Sequence, residues 1–283
     1  MRVLSWIPLF LGLSITAACD LVSGDSGRTE DIVVAVDDTL RDARIFYSEG
    51  VSVSEPAHLL IALHGSGDSG RSFQAGAGLD GKAPDNLIIA YPTAAKGNWA
   101  EGCNCNIADR LQINDLGFME ALIDHVSEDY QITPERTYAV GFSQGGLFAY
   151  RLGCDLSERF SHVAAVSAPM SEPLSRMCRA SDPVSVMTIH GRRDGVLPYA
   201  GTDNGALSLL SADETRAFWA EKRSCGPAAE TSVRSGDATV IRYDHGACEA
   251  GVQVSLLQMT NGVHAWYTSS PDNRTFLFDF FGL

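Results

Sequence analysis

Apolar positions along this chain fall into two rhythms, short unbroken runs and runs spaced by three or four. Ile32-Val33-Val34-Ala35-Val36 and Ala43-Arg44-Ile45-Phe46-Tyr47 flank Asp37-Asp38 and predict two strands around a turn. His58 to Leu63 is a near-continuous apolar run ending in His64-Gly65-Ser66-Gly67, the pattern of a strand covered on both faces. Leu87 to Tyr91 repeats that pattern and is stopped by Pro92. Between Asn114 and Tyr130, Leu116, Met119, Leu122, Ile123 and Val126 recur at helical spacing. Thr137-Tyr138-Ala139-Val140 then predicts a strand that runs into Gly141, with a helix continuing from Gly146 to Leu152. Further strands are expected over Val163–Val166, Pro183–His190 and Val252–Leu257, and further helices near Asp213–Arg223 and Asn273–Phe281. Strand and helix alternate throughout, which predicts an α/β fold with a mostly parallel central sheet and helices on both faces. No internal repeat or second domain interrupts it, so residues 30–283 read as one domain.

The first eighteen residues stand apart. Arg2 precedes the apolar run Val3 to Leu13, which has the length of a signal-peptide core and is too short to span a bilayer. It ends Thr16-Ala17-Ala18-Cys19, a small-residue approach to a cysteine that resembles a bacterial lipobox, so Cys19 is expected to be lipidated; conventional cleavage near Ala17-Ala18 is the alternative. Residues 19–29, polar and rich in Gly and Ser, read as a tether. The expected location is therefore the cell envelope, with the membrane a partner only through the anchor.

Composition narrows the function classes. With 45% hydrophobic residues, the 283-residue chain can bury a full core. Loss of Arg2 with the signal peptide would leave 20 basic against 35 acidic residues, and no basic stripe for nucleic acid. Beyond Cys19, six cysteines remain, at 103, 105, 154, 178, 225 and 248. An even number in an exported chain predicts disulfides. Six thiols allow fifteen pairings; Cys225 and Cys248, flanking a short segment, look like one clip. Cys103-x-Cys105 is too tight for a zinc knuckle and has no histidine nearby, so no metal is expected.

Candidate chemistry centres on Gly141-Phe142-Ser143-Gln144-Gly145, placed where a predicted strand hands over to a predicted helix. Glycines at 141 and 145 lack the Cβ atoms that would crowd a sharp corner, and such a corner presents the serine hydroxyl beside a helix N-terminus. In the α/β-hydrolase arrangement the chain order is serine, acid, histidine. Of seven histidines, His264 in Asn261-Gly262-Val263-His264-Ala265-Trp266 follows the last strand, where the base belongs. His64 and His190 lie at strand ends and are expected to organise loops. Asp194, just beyond Ile189-His190-Gly191, is the natural acid, since Asp182 precedes that strand and Asp203 lies well past it. The expected roles are Ser143 nucleophile, His264 base and Asp194 orienter, with the backbone amides of Gln144 and Ser66 meeting the oxyanion. Trp99 and Trp266 are candidates for an apolar wall facing a flat acyl group. Trp219, beside Phe218 on a helix, is expected to pack.

Taken together, Leu63-His64-Gly65, Asp115-Leu116-Gly117-Phe118, Gly141-Phe142-Ser143-Gln144-Gly145-Gly146, Ile189-His190-Gly191 with Asp194 and Pro198-Tyr199, and Gly262-Val263-His264-Ala265-Trp266 resemble the LpqC-like polyhydroxybutyrate depolymerase and feruloyl esterase group. The likeness runs from about Ile32 to the C-terminus. It implies a cofactor-free Ser-Asp-His carboxylesterase that forms an acyl-enzyme on a hydroxyalkanoate polyester or on an aryl or acetyl ester of plant polysaccharide. The chain departs from the group at Trp266-Tyr267, where Trp-Pro is usual, and at Gly262-Val263, where further glycines are usual. No linker and appended binding module follows, which favours soluble or short-chain esters over solid polymer. An acetylxylan-type esterase, a peptidase on the same fold and a non-enzymatic envelope binding protein are the alternatives.

Overall fold

The computed structural model describes residues 27–205, 207–235 and 238–283. The expected signal segment, Cys19 and most of the tether lie outside the described residues. In chain order the strands are β1 (Arg28–Val36), β2 (Thr39–Tyr47), β3 (His58–Leu63), β4 (Leu87–Pro92), β5 (Thr137–Phe142), β6 (His162–Val166), β7 (Ser185–Gly191), the two-residue pair β8 (Thr202–Asp203) and β9 (Ser208–Leu209), β10 (Ala228–Ser235), β11 (Ala238–His245) and β12 (Val254–Met259). The helices are α1 (Gly70–Ala77), α2 (Ile107–Arg110), α3 (Asp115–Asp129), α4 (Gln144–Asp155), α5 (Glu172–Met177), α6 (Ala212–Lys222) and α7 (Asn273–Phe281). Because β1 begins at Arg28, the folded chain starts two residues inside the segment read as tether.

Ten strands form one sheet in the order β1-β2-β4-β3-β5-β6-β7-β12-β11-β10. The six from β4 to β12 run parallel, as expected of strands whose both faces are apolar. Both margins are antiparallel: β1 and β2 form a hairpin against β4, and β11 and β10 form another against β12. Helices cover both faces. Leu59, Ile61 and Leu63 of β3 join a core with Phe118 of α3, Phe148 of α4 and Trp219 of α6. The alternate residues Leu60 and Ala62 join the opposite core with Phe73 of α1 and Leu277 and Phe281 of α7. The period-two alternation of a strand thus distributes one apolar run between two helix layers.

Register brings the carboxyl ends of the parallel strands into line. Leu63 pairs with Gly141, Gly141 with Ala165, Ala165 with Thr188, and Thr188 with Leu256. Five neighbouring strands therefore end along one edge of the sheet, and every loop that carries a candidate residue leaves from that edge.

Three disulfides close the loops: Cys103–Cys105, Cys154–Cys178 and the expected clip Cys225–Cys248. Cys154 on α4 and Cys178 just after α5 are both buried, and the Ala180 N–H donates to the Cys154 carbonyl beside them. No helix among the described residues is long and apolar enough to cross a membrane.

Candidate active site

Ser143 occupies the turn between β5 and α4 with φ 54° and ψ −122°, a left-handed conformation that costs energy for any residue with a Cβ. The neighbouring glycines make the corner possible. A Cβ on Gly141 would run into the Gly145 carbonyl, and one on Gly145 would come within 2.5 Å of the carbonyl oxygens of Leu63 and His64. The turn thereby packs directly on the loop that follows β3.

The expected triad residues meet. His264 Nε2 lies 2.9 Å from Ser143 Oγ, and His264 Nδ1 lies 2.8 Å from Asp194 Oδ2. Asp194 Oδ1 accepts the N–H groups of Val196 and Leu197, each at 2.9 Å. Burial alone would push the Asp194 carboxyl up; the His264 hydrogen bond and the two backbone donors outweigh it and hold the group below the ordinary aspartate range. A carboxylate so held stays ionised and fixes the imidazole with Nδ1 protonated and Nε2 free to face the serine. The turns that present Asp194 and His264 also pack on each other. A Cβ on Gly262 would lie 2.8 Å from Gly191 Cα and 2.7 Å from Met259 Cβ, and the Arg193 N–H donates to the Gly262 carbonyl at 2.8 Å.

The two expected oxyanion donors lie on the two segments that meet at Ser143. Gln144 opens α4, so its N–H has no acceptor within the helix. The Ser66 N–H has no acceptor among the described residues, and a Cβ on its neighbour Gly65 would stand 3.4 Å from Ser143 Cβ. His64 sets this loop, as its strand-end position suggested. Its Nδ1 bonds the Gly65 carbonyl at 2.7 Å and its Nε2 accepts the Ala94 N–H at 3.0 Å, while burial lowers the imidazole pKa and keeps the ring neutral.

Trp99 is a correction to the expected apolar wall. It is completely buried, stacked on Phe148 with ring centroids 5.3 Å apart, so it offers no surface to a substrate. Its work is bracing. The indole N–H donates to the His64 carbonyl at 2.9 Å, and the Gln144 side chain grips the Trp99 main chain, accepting its N–H at 2.8 Å and donating to its carbonyl at 2.6 Å. One residue therefore ties together the two segments that carry the expected oxyanion donors. Asp115, at the start of α3, extends the brace by accepting the Ala100 N–H at 2.7 Å while paired with buried Arg41 at the same distance.

Trp266 is half-buried, and its indole N–H donates to the Ala77 carbonyl at 3.0 Å. Its ring lies edge-on to Phe73 and to Phe142, and Phe142 in turn packs 5.1 Å from the His264 ring. Trp219 is buried packing, as its helical position implied.

Two contributors were not evident in the sequence. Ser167, immediately after β6, donates to the Ala265 carbonyl at 3.1 Å and accepts the Ala265 N–H at 3.3 Å, pinning the residue next to His264. Its only signal was position, one residue past the strand beside the nucleophile strand. Glu101 is fully buried with its carboxyl on the Ser171 hydroxyl at 2.9 Å, and burial pushes its pKa up to about 8. Nothing in Trp99-Ala100-Glu101-Gly102 announces a buried acid. Glu101 also lies with Asp109 and the Cys103–Cys105 disulfide in a cluster whose ligand-type atoms are all within 4.8 Å of one another; the sulfurs are bonded to each other there.

Comparison with known proteins accords with this geometry. The Esterase family profile matches residues 42–261, more than three quarters of the chain. The chain belongs to the esterase family. Membership makes it a carboxylic ester hydrolase, and the relatives of this esterase cluster accordingly. It is 28% identical to feruloyl esterase C of Emericella nidulans over 206 residues, covering 71% of this chain and 68% of that one. It is 25% identical over 241 residues to feruloyl esterase B of Piromyces equi, covering 80% of this chain and 42% of the relative. Among solved structures, the acetyl xylan esterase from Aspergillus awamori superposes with TM-score 0.63 at 12% identity, covering 90% of this esterase and 99% of that chain. A ferulic acid esterase from Anaeromyces mucronatus in complex with ferulic acid gives TM-score 0.55 at 13% identity, covering 92% and 93%. These likenesses identify the α/β-hydrolase-type esterase fold.

Proposed function

We propose that this esterase is an exported serine carboxylesterase of the feruloyl esterase and LpqC-like polyhydroxybutyrate depolymerase group, acting on soluble aryl or short-chain esters. The observation that carries the reading is the continuous relay from Asp194 through His264 to Ser143, at 2.8 and 2.9 Å. His264 Nε2 takes the Ser143 proton as Oγ attacks the ester carbonyl. The Gln144 and Ser66 N–H groups receive the negative charge that develops on the carbonyl oxygen. Collapse passes the proton from His264 to the leaving alcohol and leaves an acyl-Ser143, which water, activated by the same histidine, then hydrolyses. Asp194 keeps the imidazole in the productive tautomer and stabilises the imidazolium. Phe142 and Trp266 give the site an apolar aromatic flank suited to a flat acyl group. The feruloyl esterase relatives favour an aryl ester over polyester.

Comparing hydrolysis of methyl ferulate with release of 3-hydroxybutyrate from amorphous polymer tests the substrate assignment. Turnover of methyl ferulate is expected to dominate; release of hydroxybutyrate alone would reassign the enzyme to polyester. Export rests on the signal-like segment and on Cys19 as lipid acceptor. Cys19→Ser is expected to move the protein from the membrane to the soluble fraction, and an unchanged distribution would remove the anchor from this account.

A further inference from the structure

Two residues beyond Trp99 begins a cluster that the ester chemistry does not use. Glu101, Cys103, Cys105 and Asp109 each bring one ligand-type atom within 4.8 Å of the other three. Each sulfur faces a carboxylate oxygen: Cys103 Sγ lies 3.1 Å from Asp109 Oδ2, and Cys105 Sγ lies 3.5 Å from Glu101 Oε1. Because the sulfurs are joined to each other, neither carries a hydrogen, so electron-rich atoms meet here with no S–H between them. Such convergence is the setting of a cation.

Zinc bonds thiolate sulfur at about 2.3 Å and carboxylate oxygen at about 2.0–2.2 Å, tetrahedrally, which sets its ligand atoms roughly 3.3–3.8 Å apart. Both sulfur–oxygen separations are within a few tenths of an ångström of that spacing. What closes the site is the covalent bond between the sulfurs. A cysteine pair one residue apart is too tight to hold zinc alone, but Glu101, two residues before it, and Asp109, four after it, supply the missing ligands. Two thiolates and two carboxylates carry the same charge as a four-cysteine zinc site. Thiolates also select zinc over calcium or magnesium.

The acids are held ready. Asp109 accepts the Gly102 N–H at 2.8 Å and Asn106 Nδ2 at 3.0 Å, and Glu101 accepts the Ser171 hydroxyl at 2.9 Å. Glu101 is fully buried with that single hydroxyl partner, a setting in which a carboxyl keeps its proton unless a cation replaces it. An open cavity of about 470 Å³, lined by Gly102, Asn104, Asp109 and Arg151 among others, gives an ion its way in. Asn106 Nδ2 also donates to the Trp99 carbonyl at 3.1 Å, so the cluster sits directly behind the brace.

We infer that Cys103, Cys105, Asp109 and Glu101 form a zinc site that reduction of the Cys103–Cys105 disulfide opens. A dithiol reductant delivers two electrons and two protons to the pair and leaves as its own disulfide. Zinc then takes the thiols as thiolates and Glu101 as a carboxylate, and their protons pass to solvent. In an oxidising compartment the disulfide prevails; where the pair is reduced, the ion replaces it as the cross-link.

The full chain, reduced with a water-soluble phosphine and freed of it under nitrogen, is titrated with cadmium, a zinc analogue whose bonds to thiolate absorb in the ultraviolet. One cadmium per chain is expected in the reduced protein, displaced by zinc, and none in the oxidised protein. Replacing Cys103 and Cys105 together with Ser is expected to abolish the band, and Asp109→Asn and Glu101→Gln each to weaken binding by at least about tenfold. A Cys103–Cys105 bond that resists reduction in the folded chain, or reduced protein that takes up no cadmium, would overturn the site. So would a band that persists without Cys103 and Cys105, which would put the ion on the thiols of the other two bridges, or binding that neither acid substitution weakens. Alkylation of the reduced parent protein, read by peptide mass spectrometry, decides the matter even if a variant fails to fold. Zinc is expected to slow labelling of Cys103 and Cys105 by at least about tenfold, and equal labelling with and without zinc would contradict the site.

Discussion

Asp194 and Glu101 are two buried carboxyls with opposite protonation, and the difference follows from their donors. Asp194 accepts from His264 and from two backbone N–H groups, so it stays ionised despite its burial. Its replacement by Asn would favour the wrong imidazole tautomer, and kcat for a p-nitrophenyl ester is expected to fall by about 10⁴ with little change in KM. A loss under tenfold would remove Asp194 from the mechanism. Glu101 meets a single hydroxyl, that of Ser171, and holds its proton to about pH 8, against 4.5 for the free group. Between those pH values the native state binds a proton that the unfolded chain has lost. Stability therefore falls as pH rises across that window, by an amount on the order of a few kcal/mol, and levels off above it. Glu101→Gln is expected to flatten the fall, as read from denaturant midpoints at pH 5 and pH 8.5. At this scale the sequence was legible where chain order constrains chemistry. Ser143, Asp194 and His264 each follow a strand in the order the fold demands. Glu101 and Ser167 were not legible, because their roles depend on partners 70 and 98 residues away.

Between the β3 loop and α4, Trp99 acts as a connector, and the pairing of its main chain with the Gln144 side chain is the element most exposed to test. Gln144→Glu keeps the shape but replaces the donor to the Trp99 carbonyl with an oxygen, opening the join between the two proposed oxyanion donors. Losing one such donor outright costs about 10² to 10³ in rate, so a displaced one is expected to lower kcat by about 10- to 100-fold with KM nearly constant. Steady-state kinetics on a p-nitrophenyl ester, beside a thermal melt that reports the fold, measure this; a pure KM effect would place Gln144 in ground-state binding instead. Elements themselves were legible in proportion to their burial. β3, β4 and β7, buried along their length, could be read directly, β3 with its bounds as expected and β4 and β7 with ends displaced by one or two residues. The β10–β11 hairpin escaped notice because it lies at the sheet margin: Ala-Ala-Glu-Thr-Ser-Val-Arg-Ser in β10 has no apolar face to conserve a period. α1 escaped for a related reason, since only Gly70, Phe73 and Ala77 of its eight residues are buried. Trp99 was misassigned because a large aromatic beside a catalytic loop reads the same whether it lines the site or supports it.

Across the whole molecule, a ten-stranded sheet sets five loops along one edge, and disulfides secure the helices that flank it. Cys154–Cys178 joins α4, which begins next to Ser143, to the chain after α5 across 24 residues. Replacing both cysteines with Ala is expected to lower the unfolding free energy by about 2–4 kcal/mol in a denaturant titration, while leaving the triad geometry and most of the activity in place. A loss of activity without loss of stability would instead make the bridge part of the site. The alternation of strand and helix made the parallel centre of this architecture legible, as the turn at Asp37-Asp38 did the first margin, whereas the β10–β11 margin and the pairings Cys103–Cys105 and Cys154–Cys178 needed three-dimensional proximity. The central claim remains that this assembly delivers an activated serine at position 143. Labelling the folded enzyme with a fluorophosphonate probe tests it most directly. The account predicts stoichiometric modification located by mass spectrometry on Ser143 and abolished in Ser143→Ala; folded protein that stays unlabelled, or labelling that persists in that variant, would contradict it.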